Sequence, residues 1–212
     1  MDDLRIALDL EGVLADTHTQ ALEISDWLEP HHFSDFGFDD DELGPLLDDF
    51  ERVWQDWSRI EPHEDDIAGV VADLATCGHV DVVTNTPGAS DDVLNWLEYY
   101  GVLDHIGRLV MPGPGTYKEE LDYQVYIDDN PYLWGLVPLL YLPDRQWNET
   151  YGRTVAPDEL DPSSVTYYDL TVDDPIVVNS IYEDQGTVVR IGDLEDAYVD
   201  LTHRRFNGET AL

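Results

Sequence analysis

The sequence predicts an α/β fold: a mostly parallel, Rossmann-like sheet with helices on both faces, carrying a small helical insert near the start of the chain. Three observations point there. From about residue 64 onward, short apolar runs alternate with segments of helical periodicity, the pattern that builds a parallel sheet covered on both sides. Several of the runs end abruptly in polar residues. Before that region, a stretch with apolar residues at helical spacing interrupts the alternation.

Taken in order, Leu4 to Leu8 is an apolar run of buried-strand type that stops at Asp9, and a turn at Gly12 follows at once. A helix is expected from about Gln20 to Leu28. Pro30 to Asp41 reads as a loop rich in His, Phe and Asp. Asp41 to Arg59 places Leu43, Leu46, Leu47, Phe50, Val53, Trp54 and Trp57 at helical spacing. The alternating part then gives helix near Glu64 to Ala75, strand Val80 to Thr84 and helix near Ser90 to Tyr100. Next come a strand near Leu109, strand Gln124 to Ile127, a short helix from Pro131 and strand Leu139 to Leu142. Val165 to Leu170, Ile176 to Ile181 and Thr187 to Ile191 are β-prone and are expected as peripheral strands. Asp193 is the expected N-cap of a last helix reaching about Arg205, with Arg204 and Arg205 at its negative end. The division that follows is a core of residues 1–16 and 61–212, with 150–192 as a peripheral extension, and a helical insert over 17–60.

The 212 residues carry 47 acidic against 10 basic side chains, a formal net charge of -37. Such a field opposes contact with a nucleic acid polymer or an anionic membrane, since both require positive charge at the interface. A small anionic substrate needs only one local cation and stays within reach. The basic residues are nine arginines and one lysine, Lys118, a bias that matches proteins of organisms holding molar salt in the cytoplasm. There the Debye length falls to about 3 Å and most self-repulsion is screened. No basic segment followed by an apolar stretch opens the chain, and no run of about 18 apolar residues occurs, so a cytoplasmic location is expected. Cys77, the only cysteine, permits no internal disulfide and is expected as a buried structural thiol.

In an open parallel sheet, ligands bind beyond the carboxyl ends of the strands. The first strand ends in Asp9-Leu10-Glu11-Gly12-Val13-Leu14-Ala15-Asp16, where the residue between two acids points away and both carboxylates can face one crevice. The second ends in Thr84-Asn85-Thr86. Lys118 precedes the strand that ends in Asp128-Asp129-Asn130-Pro131. Each item alone has a plain explanation as a cap or turn. Together they are much less expected by accident, and the single lysine of the chain falls among them.

In order and spacing over about residues 4 to 143, these residues resemble the haloacid dehalogenase-like superfamily. The match rests on Asp9 to Asp16, on Thr84 after its strand, on Asp128-Asp129 after theirs and, less specifically, on Lys118. The resemblance implies that the insert is a helical cap folded over the site. It is similar to the 5′-nucleotidase or deoxyribonucleotidase branch in Trp147-Asn148, and to phosphoserine phosphatase-like members in Asp-Leu-Glu-Gly. The implied activity is Mg²⁺-dependent hydrolysis of a small phosphomonoester, a 5′-nucleotide being one form.

The chemistry needs these residue types. A phosphate monoester repels nucleophiles, so a site requires an in-line carboxylate, a cation and donors for the equatorial oxygens. By the resemblance Asp9 is the nucleophile that forms an aspartyl phosphate. Asp9, the backbone carbonyl of Glu11 and Asp128 would hold Mg²⁺, with Asp129 nearby. Thr84, Asn85 and Lys118 would bind the phosphoryl group, Lys118 also keeping Asp9 ionised. Glu11 stands where the commonest pattern has aspartate as general acid and base, one methylene longer, and its reach decides its role. Phosphotransfer to an alcohol through the same intermediate, and a non-catalytic ligand-binding protein of the same fold, stay open as alternatives. Trp27, Phe33, Phe36, Phe38, Trp54 and Trp57 are expected in the insert's own core rather than stacked on a base. His31, His32, His63 and His79 lack a paired metal spacing and are expected as surface or capping residues.

Overall fold

The computed structural model describes residues 4–29, 40–113, 116–133, 136–148, 166–169 and 187–207, with only the backbone described at 40, 41 and 166–169. The strands are β1 (Arg5–Leu8), β2 (His79–Val83), β3 (Leu109–Val110), β4 (Val125–Ile127), β5 (Leu139–Pro143), β6 (Thr166–Asp169) and β7 (Thr187–Ile191). They form one sheet in the order β3-β2-β1-β4-β5-β7-β6, and every pairing is parallel. The α-helices are α1 (Thr17–Ile24), α2 (Asp40–Gln55), α3 (Ile67–Cys77), α4 (Ser90–Tyr99) and α5 (Leu194–Asn207).

The period-2 alternation of each strand divides the core into two layers. Ile6, Leu8, Val82, Ile127 and Tyr141 face the helices, joined by Phe50 and Trp54 of α2, Val71 and Leu74 of α3, Trp96 of α4 and Leu201 of α5. Ala7, Tyr126, Leu140 and Leu142 face the other way, where Tyr123, Leu133 and Val137 cover them from short 3-10 turns and loops. The sheet is thus buried on both faces, which explains its near-continuous apolar strands.

Local chemistry moved some boundaries. α1 starts three residues earlier than its apolar periodicity indicates, because the Thr19 N–H donates to Asp16 Oδ1 at 3.1 Å and caps the helix there. It stops at Ile24, and Ser25 Oγ accepts the N–H groups of Trp27 and Leu28. α2 ends at Gln55 and Trp57–Arg59 forms a 3-10 turn instead. Asp193 caps α5 as expected, its Oδ1 taking the Asp196 N–H at 3.0 Å. Arg205 stands in the last turn of α5, as expected. It donates to the Thr76 and Cys77 carbonyls at the end of α3, and Cys77 is buried there.

The largest difference lies late in the chain. Thr187–Ile191 is no peripheral strand: β7 sits between β5 and β6, with Val188, Val189, Arg190 and Ile191 buried. The β-prone segment Ile176 to Ile181 lies outside the described residues, as do His31, His32, Phe33, Phe36 and Phe38.

Arg190 is fully buried on this inserted strand. Its Nη1 meets Asp144 Oδ1 at 2.7 Å and Asn148 Oδ1 at 3.0 Å, and its Nη2 donates to the Asn148 carbonyl at 2.8 Å. Asp144 is partly exposed and Asn148 Oδ1 also accepts the Arg145 N–H, so removing Arg190 costs the charged hydrogen bonds rather than a fully buried pair, about 1.5–3 kcal/mol. Arg190→Met is therefore expected to lower unfolding free energy by about that amount, read by denaturant titration in molar salt; a change below about 1 kcal/mol would show that the network contributes little.

Candidate active site

The chain runs outward through β2 and β3 on one side of β1, and through β4 and β5 on the other, so the direction of winding reverses between β1 and β4. The crevice beyond the carboxyl ends of strands at such a point is where open α/β sheets bind ligands. Leu8 pairs with Ile127, and the next residues along, Asp9 and Asp128, therefore emerge side by side. The Asp9 N–H donates to the Ile127 carbonyl at 2.9 Å, which continues the ladder into the site.

Lys118 bridges these two acids. Its Nζ lies 2.7 Å from Asp9 Oδ2 and 2.7 Å from Asp128 Oδ2, and only 7% of the residue is exposed. The 3-10 turn Lys118–Glu120 is held below it, where the Tyr126 hydroxyl donates to the Lys118 and Leu121 carbonyls. Lysine alone fits this gap because its head is a compact point charge with three donors.

Asp129 joins from the next position. One ligand oxygen from each of Asp9, Asp128 and Asp129 lies within 4.8 Å of the others, and all three residues are buried. Burial, and then Asp128, push the Asp9 carboxyl well above its usual range, against the opposing pull of Lys118. Asp129 is pushed to about 7 by burial and Asp128. One ammonium faces three buried carboxylates, and Lys118 favours the ionised form of Asp9, as expected, against the larger effects of burial and Asp128. The donor set is hard oxygen carrying surplus negative charge, which fits a hard divalent cation such as Mg²⁺.

Asp129 is held from behind. Trp147 Nε1 donates to its Oδ2, and Asn148 Nδ2 donates to its carbonyl at 3.0 Å. Gly12, at φ +76°, packs over this group: a Cβ there would stand 2.2 Å from Asp129 Oδ2 and 2.9 Å from Trp147 Cζ2. Only glycine satisfies both the left-handed turn and that approach.

Glu11 goes to the other side of Asp9. Its carboxylate is absent from the metal-type group and accepts from Trp54 Nε1 and Thr86 Oγ1, each at 2.8 Å on Oε1. Burial raises it, against those two hydrogen bonds. Thr84 is buried at the end of β2, the strand next to β1, and its Oγ1 accepts the Thr86 N–H at 3.2 Å. Asn85 is exposed.

Of the expected residues, Asp9, Lys118, Asp128 and Asp129 thus form one contiguous cluster, while Glu11 and Thr84 are joined through Thr86. Sequence reasoning passed over Thr86, Gly88 and Arg190, and it assigned Trp54 to the insert's core. Trp54 is fully buried, yet its indole N–H ends on Glu11. A second hydroxyl in Thr84-Asn85-Thr86 was the one available hint. Trp27 is half-buried and donates to Asp49, and Trp57 is half-buried beside Tyr99.

Two histidines line the back of this region. His18 of α1 stacks on Trp147 with centroids 3.8 Å apart, and burial, then His63, lower it to about 3. His63, half-buried rather than a surface residue, is lowered to about 4 by burial and then Arg145; His79 is exposed and meets Asp81 at 3.1 Å. Unfolded, a histidine takes its proton near pH 6.5, whereas His18 in the fold refuses it until about pH 3. The unfolded chain therefore binds more protons in that window, and stability falls as pH drops through it. His18→Phe keeps the stacked ring and removes this linkage. Its stability relative to the parent is expected to rise by about 1.4 kcal/mol per pH unit below about 6, measured by denaturant unfolding at a series of pH values; a constant difference would mean His18 titrates normally.

This is an α/β protein with an acidic, single-lysine site at the winding reversal of a parallel sheet. Its fold is shared with L-2-haloacid dehalogenase from Xanthobacter autotrophicus, at TM-score 0.51 and 12% identity over 93% of this chain and 98% of that one. A second dehalogenase structure aligns at TM-score 0.50 and 11% identity, covering 94% of this chain and 97% of the other. No family model matches the chain, and no curated protein matches it. No helix among the described residues is long and apolar enough to cross a membrane.

Proposed function

We propose that this chain is a haloacid dehalogenase-like hydrolase that cleaves small phosphate monoesters with Mg²⁺. The observation that carries the reading is the cluster itself: Asp9 and Asp128 clamped by a buried Lys118, with Asp129 beside them. Asp9 is the nucleophile, attacking phosphorus in line and releasing the alcohol. Lys118 steadies the Asp9 oxygen and offsets charge on the phosphoryl group. Thr84 offers its hydroxyl to an equatorial oxygen. Glu11 hands a proton to the leaving alcohol and later takes one from the water that hydrolyses the aspartyl phosphate. Asp9, Asp128 and Asp129, with the Glu11 carbonyl, would hold Mg²⁺, which supplies charge stabilisation for the phosphoryl oxygens when bound.

Displacement of halide, the activity in the neighbours' names, requires no proton for the leaving group and no cation. That reading leaves Glu11, Asp128 and Asp129 without a task. The net charge of -37 favours a small substrate over a polymer or a membrane surface, and nucleoside monophosphates head the candidates. The composition points to a salt-rich cytoplasm. The test is phosphate release from a panel of alkyl, aryl and nucleoside monophosphates in molar salt, with and without Mg²⁺, beside halide release from a 2-haloacid. Mg²⁺-dependent phosphate release supports the proposal. Halide release alone, or no turnover of any ester, overturns it.

A further inference from the structure

Glu11 receives two donors on one oxygen. Trp54 Nε1 on α2 and Thr86 Oγ1 beyond β2 each lie 2.8 Å from Oε1. An indole N–H can only donate. Thr86 Oγ1 donates to Glu11 Oε1 and in turn accepts the Gly88 N–H at 3.2 Å, which holds the hydroxyl oxygen in place. Thr86 is anchored further by its N–H, which donates to Thr84 Oγ1.

The indole has little room to move. Trp54 is fully buried, and it meets Trp96 edge-on with centroids 6.5 Å apart. Gly88 lies flat against it, so that a Cβ there would stand 2.4 Å from Trp54 Cγ. The α2 indole and the residue 84–88 turn are therefore interlocked, and Glu11 Oε1 is where they meet. Among the described residues, Oε2 accepts no hydrogen bond.

A glutamate has one more rotatable bond than the aspartate usual at this position, and two restraints remove that freedom. We propose that Trp54 and Thr86 are positioning residues for Glu11: they pin Oε1 and leave Oε2 as the atom that exchanges the proton. This rests on the phosphomonoesterase reading above. It gives the helical insert a direct part in the chemistry through Trp54, beyond covering the site.

The test uses the full-length protein in molar salt with Mg²⁺, confirmed folded by circular dichroism, as Trp54→Phe, Thr86→Val, Thr86→Ser and Glu11→Gln, together with the Trp54→Phe, Glu11→Gln double variant. Trp54→Phe and Thr86→Val are expected to lower kcat for an alkyl phosphate by about tenfold to a hundredfold, the scale of a displaced catalytic group. KM should change little, and bond cleavage in an aryl phosphate, whose leaving group needs no proton, should suffer less. Thr86→Ser restores the hydroxyl and with it the parent's alkyl-to-aryl ratio. In the Glu11→Gln background, Trp54→Phe is expected to add nothing. An unchanged ratio in folded Trp54→Phe and Thr86→Val, or an equal effect of Trp54→Phe with and without Glu11, overturns the assignment. One readout is independent of turnover: the indole N–H proton resonance that disappears in Trp54→Phe should shift in Glu11→Gln. If that resonance shifts while the parent hydrolyses no ester, the contact stands and the functional reading fails. If it does not shift, the positioning role fails whatever the activity.

Discussion

Asp9→Asn is expected to abolish phosphate release, a loss of about 10⁶-fold, the scale seen when a covalent nucleophile is removed. An amide neither attacks phosphorus nor ligates Mg²⁺ well. The fold should survive. Asp9 Oδ1 accepts the Leu10 N–H at 2.7 Å, and an amide oxygen still accepts it. Burial and Asp128 hold the Asp9 carboxyl well above its usual range, so the ionised group is a strain on the metal-free fold. That strain grows with pH, because an acid whose folded pKa is raised binds its proton better folded than unfolded, and stability falls as the proton leaves. The amide loses the Lys118 ion pair at Oδ2, but relative to the parent Asp9→Asn should gain unfolding free energy as pH rises without metal. Retained turnover in a folded, contaminant-free sample would overturn the mechanism; a stability difference from the parent that stays constant with pH would overturn the electrostatic account.

Lys118 is the second position with a large expected effect, and here activity and stability should move together. With Nζ 2.7 Å from oxygens of both Asp9 and Asp128, Lys118→Met leaves buried carboxylates facing one another. Breaking a buried ion pair from one side costs about 3–5 kcal/mol. The deficit should widen as pH rises and the carboxylates ionise, shrink toward pH 4, and be partly offset by Mg²⁺. Lys118→Arg keeps the charge but brings a planar, branched head into a gap shaped for a point, and is expected to lose at least about a hundredfold in turnover. Activity within a few-fold of the parent would make Lys118 an ordinary charged residue. Unfolding curves at several pH values, with and without Mg²⁺, test the stability part.

Much of the site was legible because its residues sit immediately after strands. Asp9, Thr84 and Asp128-Asp129 each follow an apolar run, and runs of that kind fix both the element and the face at which it ends. Lys118 was legible for a different reason, its uniqueness in a lysine-poor chain. What stayed hidden depends on packing between distant segments. Trp54 lies 43 residues from Glu11, and its helical spacing with Phe50 and Val53 describes a core position equally well. The place of β7 was hidden too, since a β-prone run states that it will pair but not with which strands. Helix ends shifted where single side chains took backbone donors, as Asp16 does for α1.

The route from Arg190 to the cluster bears on the order in which the molecule can be made. Asp129 is fixed by Trp147 and Asn148, and Asn148 is fixed in turn by an arginine 42 residues further along. A ribosome that has released the chain through Asn148 has already delivered every acid of the cluster, its lysine and both residues behind Asp129, but the arginine that braces Asn148 is still missing. Truncated products ending before β7 are therefore expected to hold Asn148, and through it Asp129, less firmly.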